Sequence, residues 1–321
     1  SRSGAEKFHS AMLPHAGAGS RVFREVTALG SDLAALAEVR GSRVKADVAI
    51  LWDFESFWAQ DLEWRPSDLL DHDERVRAYY TQLWRDGITV DFALPGHDLS
   101  GYSLVLAPAQ YLLTQKDAAN LTAYVAGGGT LLVSYFSAVV DENDAVHEGG
   151  YLAPLGEALG VRVEEFLPLR EGDIAAIDLG GERLTIDQWS EDLRVDGAEV
   201  LARYVGGPAD GAPAVTRNPH GAGVGWYVST RPDAAGLAAI LTRVYVDAGL
   251  TPAGLPAGLE TVTRHGSDAD YVVLVNHSDA ALAAPVAGTD LLTGAATDHE
   301  TVVAAGGVAV VRTPPTRGGG R

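Results

Sequence analysis

The first 45 residues contain one clear amphipathic pattern. Apolar residues recur at spacings of three and four, which places them on one face of a helix: Val22, Val26, Leu29, Leu33 and Leu36. The segment before them, residues 4–19, holds Pro14 and several glycines and is typical of a loop. A helix with one apolar face needs an apolar partner surface. Residues 1–45 therefore predict a helix that packs on something outside the segment.

From residue 46, short apolar runs alternate with helical stretches. Strands are predicted at 47–53, 88–92, 103–107, 130–135 and 161–165. Helices are predicted between them, one beginning at Ser67 as N-cap and ending at Gly87, one at 115–126 and one near 151–159. This alternation is typical of parallel β-α-β units.

The last third of the chain has a different pattern. Hairpin-like strands at 199–205, 213–217 and 225–229 precede a closing helix at 234–248. Thr251–Gly258 is a linker rich in proline and glycine, and only strands follow it, at 259–265, 271–277, 290–292 and 308–312. The sequence therefore predicts three parts: residues 1–45, an α/β domain at 46–250, and a small antiparallel β domain at 258–313.

Composition excludes several classes of function. The 321 residues include 24 Lys and Arg against 43 Asp and Glu, a net charge of −19, which argues against nucleic-acid and anionic-membrane partners. The chain has no cysteine, which excludes disulfides, thiolate-ligated zinc and cysteine nucleophiles. Neither a membrane-spanning apolar run nor the apolar core of a signal peptide is present, so a cytoplasmic protein is expected.

Two glycine clusters do not fit a phosphate site. A phosphate cradle needs a strand, then glycines, then a helix whose amides face the anion. Gly127–Gly129 follow a predicted helix and precede a strand, so they are predicted to end that helix. Gly221–Gly225 precede the strand-forming residues Trp226–Val228 and are predicted to form a hairpin turn.

An aromatic segment follows the first predicted strand of the α/β domain. It contains Trp52, Phe54, Phe57 and Trp58. Open parallel sheets bind ligands at the carboxyl ends of their strands, and aromatic clusters are enriched in interfaces. An interface is therefore one interpretation of this segment, and an internal corner of the core is the other.

An acidic segment follows the strand at 130–135. Tyr135 and Phe136 lead into a loop that contains Asp141, Glu142, Asn143 and Asp144. The spacing does not match a calcium-binding loop, because the sixth position is Val146 and not glycine. No metal site is predicted here. A solvated acidic loop is the simpler interpretation. An interface is the more specific one, and it is favoured by the apolar and aromatic residues that directly precede the loop.

Near the start of the chain, Glu6 and His9 lie three residues apart and would share one face of a helical turn. Alone, this spacing is weak, because exposed Glu and His near a terminus are usually solvated. No order of Ser, His and Asp typical of a catalytic triad can be recognised.

Several segments resemble glycoside hydrolase family 42, the β-galactosidases, in the same order along the chain. They are Gly4–His15 (GAEKFHSAMLPH), Trp52–Ala59, Gly128–Thr130 with Ser134–Asp144, Pro213–Asn218 and Asp290–Gly294. Ala138 stands where the resemblance leads us to expect a glycine. The sequence is thus identified as similar to the C-terminal part of this family over nearly its whole length.

The resemblance implies a subunit of three parts. These are an (α/β)8 barrel that carries catalysis, a mostly parallel α/β trimerisation domain of flavodoxin or glutamine-amidotransferase type, and a small β domain. Residues 1–45 would then be the last loop and helix of the barrel. In this retaining family both catalytic glutamates lie upstream of the segment that Glu6–His9 resembles, so the resemblance implies that they lie upstream of Ser1 and that the isolated chain is inactive. Length agrees, since a barrel takes about 250 residues.

The resemblance also implies site residues and partners. Glu6 and His9 match family positions that bind galactose beside the nucleophile. The partner implied is a second and third copy of the chain in a homotrimer, and no cofactor is implied. The alternative is a free-standing, non-catalytic α/β module of glutamine-amidotransferase-like shape that binds a ligand or a protein, since the cysteine needed for amidotransferase hydrolysis is missing.

Overall fold

The computed structural model describes residues 3–9, 11–62 and 64–316. The chain divides into two compact units. One contains residues 46–254, here called the middle unit. The other combines the N-terminal residues up to Lys45 with those from Leu255 onward. Within the described ranges, no helix is both long and apolar enough to cross a membrane.

A helix lies at each predicted position, and α2 is an additional one. In chain order they are α1 (Arg21–Ala35), α2 (Phe54–Gln60), α3 (His72–Arg85), α4 (Gln115–Ala126), α5 (Gly156–Leu159) and α6 (Ala234–Ala248). Short 3-10 turns lie at Ala5–Phe8, Ala37–Val39 and Ala153–Leu155. Residues 115–126 form a helix as predicted, and Gly127 caps its C-terminus.

The strands begin in the N-terminal segment and continue to Thr313. The first ten are β1 (Arg43–Val44), β2 (Val48–Leu51), β3 (Val90–Ala93), β4 (Leu104–Ala107), β5 (Thr130–Ser134), β6 (Val161–Phe166), β7 (Ile174–Leu179), β8 (Glu182–Asp187), β9 (Glu191–Val195) and β10 (Glu199–Val205). The others are β11 (Pro213–His220), β12 (Gly223–Val228), β13 (Arg231–Pro232), β14 (Leu259–His265), β15 (Asp270–Asn276), β16 (Leu282–Ala284), β17 (Gly288–Asp290), β18 (Ala296–Thr297), β19 (Thr301–Val303) and β20 (Val308–Thr313).

The main sheet of the middle unit is mixed. Its strand order among the described residues is β13-β8-β7-β10-β11-β12-β5-β4-β2-β3. Strands β12, β5, β4, β2 and β3 run parallel, and the remaining pairings are antiparallel. The expectation of a mostly parallel sheet is therefore wrong for the half that begins at β11. The reason is connection length, because Gly180 and Gly181 alone join β7 to β8, and a parallel crossover needs a dozen or more residues.

The parallel half is covered on both faces. Strands β2, β4 and β5 are buried at every position, as a doubly covered parallel sheet requires. On one face, residues of α3 and α6 such as Leu83 and Leu241 pack with Ile50. On the other, residues of α4 such as Leu121 pack with Leu51.

Two local predictions in this unit are wrong. The strand at 161–165 forms, but it pairs antiparallel with β9 in a separate sheet and does not continue the parallel series. Ser67 does not begin α3, since Asp71 is its N-cap and accepts a 3.0 Å hydrogen bond from the Glu74 amide. Aspartate caps helices as well as serine does. The other end of α3 agrees with the prediction, because Gly87 follows the helix with a positive φ of 66°.

The second unit is an antiparallel β module. Its larger sheet has the order β1-β14-β15-β20-β17-β18, and β16 pairs with β19. The four predicted strands all form, with ends that differ by one or two residues. Leu259, Leu274 and Val311 belong to its core.

Residues 36–44 are part of this β module. Strand β1 pairs with β14, and the Arg264 guanidinium donates a 2.6 Å hydrogen bond to the Ser42 carbonyl. Leu36 and Val39 pack against a small cluster around Tyr271. The C-terminal end of the predicted 1–45 segment is thus integrated in the β module, while its assignment as the edge of a barrel stays a prediction.

Helix α1 forms where the apolar spacing predicts it. The Ser20 hydroxyl caps it by accepting a 3.3 Å hydrogen bond from the Phe23 amide. None of the residues of α1 is buried, and Leu29 and Leu33 are more than half exposed. The apolar face of α1 is therefore largely in contact with solvent.

Candidate functional site

The Glu6 and His9 side chains meet, as their spacing predicts. Glu6 lies within the 3-10 turn Ala5–Phe8 and His9 follows it, and His9 Nδ1 lies 2.5 Å from a Glu6 carboxylate oxygen. Both side chains are largely exposed. His15 Nε2 lies 2.8 Å from the Lys7 carbonyl and tethers the following loop to the turn. Their side chains are thus oriented together and open to a ligand, while their role in sugar binding stays a prediction.

The aromatic segment after β2 divides into an inner and an outer pair. Asp53 begins α2 by accepting a 2.8 Å hydrogen bond from the Glu55 amide. Trp52 and Phe57 are partly buried, with ring centroids 5.5 Å apart. Phe54 and Trp58 are 57% and 64% exposed, and their ring centroids lie 5.7 Å apart. The outer pair is thus the more exposed of the two, while the interface role predicted for all four residues stays a prediction.

The segment at 135–144 divides in the same way. Tyr135 and Phe136 are buried, and their rings pack against Trp189 at 6.0 and 5.2 Å. Their side chains therefore lie inside the middle unit, and any role at an interface would act through the loop that they anchor.

The acidic turn that follows is exposed but well ordered by its own hydrogen bonds. Asp141 Oδ1 accepts hydrogen bonds from the amides of Asn143 and Ala145, which lowers the pKa of Asp141. Glu142, Asn143 and Asp144 point outward from this turn. Hydrogen bonds from the backbone to Asp141 therefore hold the shape of this turn.

The structure brings the two predicted segments to one edge of the sheet. The Leu112 amide donates to Ser56 Oγ at 3.2 Å, and Gln110 Nε2 donates to Asp53 Oδ2 at 3.3 Å. Tyr111 OH donates to Asp144 at 3.4 Å. This edge, formed by the carboxyl ends of β2, β4 and β5, is here called the loop edge. A cleft of about 430 Å³ lies in it, lined by Ala59, Gln60, Leu62, Trp64, Arg65, Pro66, Tyr111, Phe136 and Asp144.

The turns at the loop edge hold left-handed backbone conformations. Ala109, Phe136 and Ala138 have φ values of 47°, 55° and 48°. Ala138 is the position where the family resemblance predicts glycine, which adopts this conformation at lower cost. Ser137 holds the turn by donating to the Ser134 carbonyl at 2.7 Å and accepting from the Gln110 amide at 2.9 Å. Such strain persists only where the surroundings fix it.

Ala109 lies at the turn that follows β4, the middle one of the five parallel strands. A strained turn after a strand is where α/β hydrolases place their nucleophile. Here the side chain is a methyl group, and the Ala109 amide donates to Ser134 Oγ at 2.8 Å. The turn shares a positive φ after a strand with such sites, but residues 110–114 separate it from α4, and its side chain cannot attack a carbonyl.

A buried carboxylate that the sequence analysis missed lies beneath the loop edge. Glu191 Oε1 accepts hydrogen bonds from Trp189 Nε1 at 2.9 Å and from the Phe136 amide at 3.2 Å. Glu191 Oε2 accepts from Tyr227 OH at 2.6 Å. Burial raises the pKa of Glu191 to about 7, although the three donors oppose this shift. A signal existed, because Glu191 shares the inward face of β9 with Leu193.

His72 is a second buried titratable group that the sequence analysis missed. It stacks on Trp52 with centroids 5.2 Å apart, and its Nδ1 lies 3.0 Å from Gln60 Nε2. Burial lowers the pKa of His72 to about 4, so the ring is neutral at pH 7. Its Nε2 has no hydrogen-bond partner among the described residues.

Comparison with known proteins identifies the class to which this arrangement belongs. Residues 46–251 match the family described as the β-galactosidase trimerisation domain. Residues 258–313 match the family described as the β-galactosidase C-terminal domain. The chain belongs to glycoside hydrolase family 42, of which it is a C-terminal part, and the resemblance seen in the sequence is confirmed.

Individual relatives agree with this assignment. The chain is 42% identical over 311 residues to a β-galactosidase of Arthrobacter sp., covering 96% of this chain and 44% of the relative. It is 42% identical to the β-galactosidase BgaB of Geobacillus sp. (strain Y412MC61), covering 87% of this chain and 42% of the relative. The crystal structure of a β-galactosidase from Bacillus circulans sp. alkalophilus superposes on this chain with a TM-score of 0.92 at 31% identity. The superposition covers 98% of this chain and 48% of that structure. The chain thus spans slightly less than half the length of these relatives.

Proposed function

We propose that this chain is the C-terminal part of a retaining β-galactosidase, which hydrolyses terminal β-D-galactosyl residues. The observation that carries the proposal is coverage: relatives named β-galactosidases align with nearly all of this chain, which covers less than half of them. The part of these relatives that does not align with this chain is long enough for a catalytic (α/β)8 barrel, about 250 residues plus insertions.

The catalytic step belongs to residues outside this sequence in our proposal. A retaining glycosidase needs two carboxyl groups about 5–5.5 Å apart on either side of the scissile bond. We expect both glutamates in the upstream barrel, with Glu6 and His9 donating and accepting hydrogen bonds to galactose hydroxyls once the barrel encloses them. Two features support this: the exposed pair of Glu6 and His9, and the solvent-exposed apolar face of α1. We expect the barrel to cover both.

The middle unit supplies assembly in this proposal. The loop edge presents Phe54 and Trp58 together with the ordered turn at 141–144. We propose that these surfaces contact neighbouring copies of the chain in a homotrimer. The matching family, described as a trimerisation domain, supports a homo-oligomer.

One experiment tests the proposal. The coding DNA upstream of Ser1 is read in frame, and the chain is expressed with and without the encoded upstream segment, then assayed with nitrophenyl β-galactoside. We expect about 350 upstream residues of barrel type, turnover by the longer protein and none by the 321-residue chain. Turnover by the shorter chain, or the absence of an upstream barrel, would contradict the proposal.

The alternative is a non-catalytic α/β binding module, and one observation favours it. The loop edge holds a cleft of about 430 Å³, within the range of roughly 300–1,000 Å³ that is usual for small-molecule sites. A stop codon directly upstream of this chain, together with ligand or protein binding by residues 46–254, would favour this alternative.

A further inference from the structure

A second cleft lies on the middle unit, between α3 and the edge strand β3. Its volume is about 420 Å³, within the range of roughly 300–1,000 Å³ that is usual for small-molecule sites. It is lined by Trp52, Asp73, Val76, Arg77, Tyr80 and Phe92. Apart from Trp52, these residues are not among those predicted to form the subunit interface.

Two partly exposed aromatic rings line this cleft. Tyr80 on α3 and Phe92 on β3 stack with centroids 6.1 Å apart and an angle of 17° between their planes. They are 41% and 54% exposed, so the stack lies against solvent and not in the core. Aromatic faces carry negative charge density that attracts the C–H groups of a ligand.

The polar groups of the cleft are an ion pair on α3. Arg77 Nε donates to Asp73 Oδ2 at 2.6 Å, and both side chains are well exposed. A carboxylate has two acceptor oxygens and a guanidinium has five N–H donors, so the pair can also bond a hydroxyl group from each side. Asp73 disfavours an anion and Arg77 disfavours a cation, which leaves a neutral ligand rich in hydroxyls.

We propose that this cleft binds a neutral pyranoside, with a preference for β-galactosides. The apolar C–H face of the sugar ring packs on Tyr80 and Phe92, while hydroxyl groups on its edge donate to Asp73 and accept from Arg77. The preference for galactose rests on the proposed function, whereas the binding of a sugar rests on the cleft alone. The site would hold substrate on the middle unit, independent of the catalytic barrel.

The test uses the full chain and methyl β-galactoside, followed by isothermal titration and saturation-transfer NMR. We expect a Kd on the order of 1 mM, the value that typical ligand efficiency gives for a monosaccharide. Phe92→Ala and Asp73→Asn should each weaken binding about tenfold, the loss expected for one charge-assisted hydrogen bond or an equivalent contact.

Matched controls separate the cleft from general surface effects. Trp64→Ala removes an almost fully exposed aromatic ring that does not line this cleft. Glu25→Gln breaks the ion pair with Arg21, which has the same spacing on α1. Neither control should change the affinity for the sugar, and circular dichroism verifies that all variants fold.

The outcomes are distinct. Absence of binding up to about 50 mM sugar, far above the expected Kd, would overturn the proposal, as would binding that survives both cleft variants. If Phe92→Ala instead changes the sedimentation of the chain and sugar does not bind, the cleft is a contact between copies and the proposal is wrong. Equal affinity for methyl β-glucoside would overturn only the galactose preference, and it would not bear on the barrel that the proposed function requires.

Discussion

Glu191 Oε2 accepts a 2.6 Å hydrogen bond from the Tyr227 hydroxyl in the interior of the middle unit, where both side chains are buried. The same carboxylate accepts from the Phe136 amide, at the start of the turn that leads to Asp141. Glu191 thus joins β9 and β12 to the loop edge through one titratable group. A buried carboxyl of this kind makes stability depend on pH.

Glu191→Gln should remove a stability loss that accompanies rising pH. Burial raises the pKa of Glu191 from about 4.5 to about 7, so the folded chain binds this proton more tightly than the unfolded chain. The free energy of unfolding contributed by this group is therefore highest below pH 4.5 and falls as the pH rises to 7. The free energy of unfolding of the wild type, taken relative to that of Glu191→Gln, should therefore fall by about 2–3 kcal/mol between pH 5 and pH 8.

Urea unfolding followed by tryptophan fluorescence measures this difference. All six tryptophans lie between Trp52 and Trp226, so the signal reports the middle unit. Glu142→Gln, at an exposed position of the acidic turn, is the matched control and should leave the pH dependence unchanged. If the free energies of unfolding of wild type and Glu191→Gln differ by the same amount at pH 5 and pH 8, the ionisation of Glu191 does not make stability depend on pH.

Tyr227→Phe tests the hydrogen bond itself. The substitution leaves Glu191 Oε2 without its donor in the core, which should lower the free energy of unfolding by about 1–3 kcal/mol. The loss should be larger at pH 8, where the carboxyl is charged, than at pH 5. Tyr80→Phe, at a partly exposed tyrosine, should cost much less in the same urea experiment. Equal losses at both pH values would show that the bond is insensitive to the charge of Glu191.

Truncation at the N-terminus should have a sharp boundary. Residues 36–44 pack against the β module, and β1 pairs with β14. Removal of residues 1–35 should leave the module folded, because none of the residues of α1 is buried. Removal of residues 1–45 exposes the edge of β14 and removes Leu36 and Val39 from the cluster around Tyr271, which should cost several kcal/mol.

Hydrogen exchange of the β14 and β15 amides distinguishes the two truncated chains. Protection should persist after the shorter deletion and fall after the longer one. Protection that is lost equally in both would place the stabilising contacts in α1 instead of residues 36–44.

The sequence predicted those helices and strands that are determined by residues within the segment itself. Helix α4 lies where Leu121 and Val125 recur at helical spacing, and Thr114 caps it. The antiparallel pair β7–β8 was missed although Gly180 and Gly181 separate two strand-forming runs, which is a recognisable hairpin signal. The start of α3 was misplaced because Ser67 and Asp71 are both good caps, and only tertiary packing selects between them.

The buried parts of the loop edge depend on contacts that no local pattern contains. Phe136 lies against Trp189, a residue 53 positions later, and Glu191 meets Tyr227, 36 positions later. Composition places Phe136 beside a loop but gives no sign that its ring is internal. The sequence therefore indicates that both segments follow strand ends, but it does not divide their buried residues from their exposed ones.

The outer aromatic pair gives the most direct test of assembly. Phe54 and Trp58 contact each other and are more than half exposed, so together they form an apolar patch that a partner could cover. Trp58→Ser should weaken self-association of the chain at least tenfold in sedimentation velocity, since large aromatic side chains dominate interface energies. Its effect on the unfolding of the middle unit should be within about 0.5 kcal/mol, as for other exposed positions. Ile174→Ser, which removes an equally exposed apolar side chain from β7, should leave association unchanged. Equal association of Trp58→Ser and wild type would exclude this patch from the interface and leave the acidic turn at 141–144 as the remaining predicted contact.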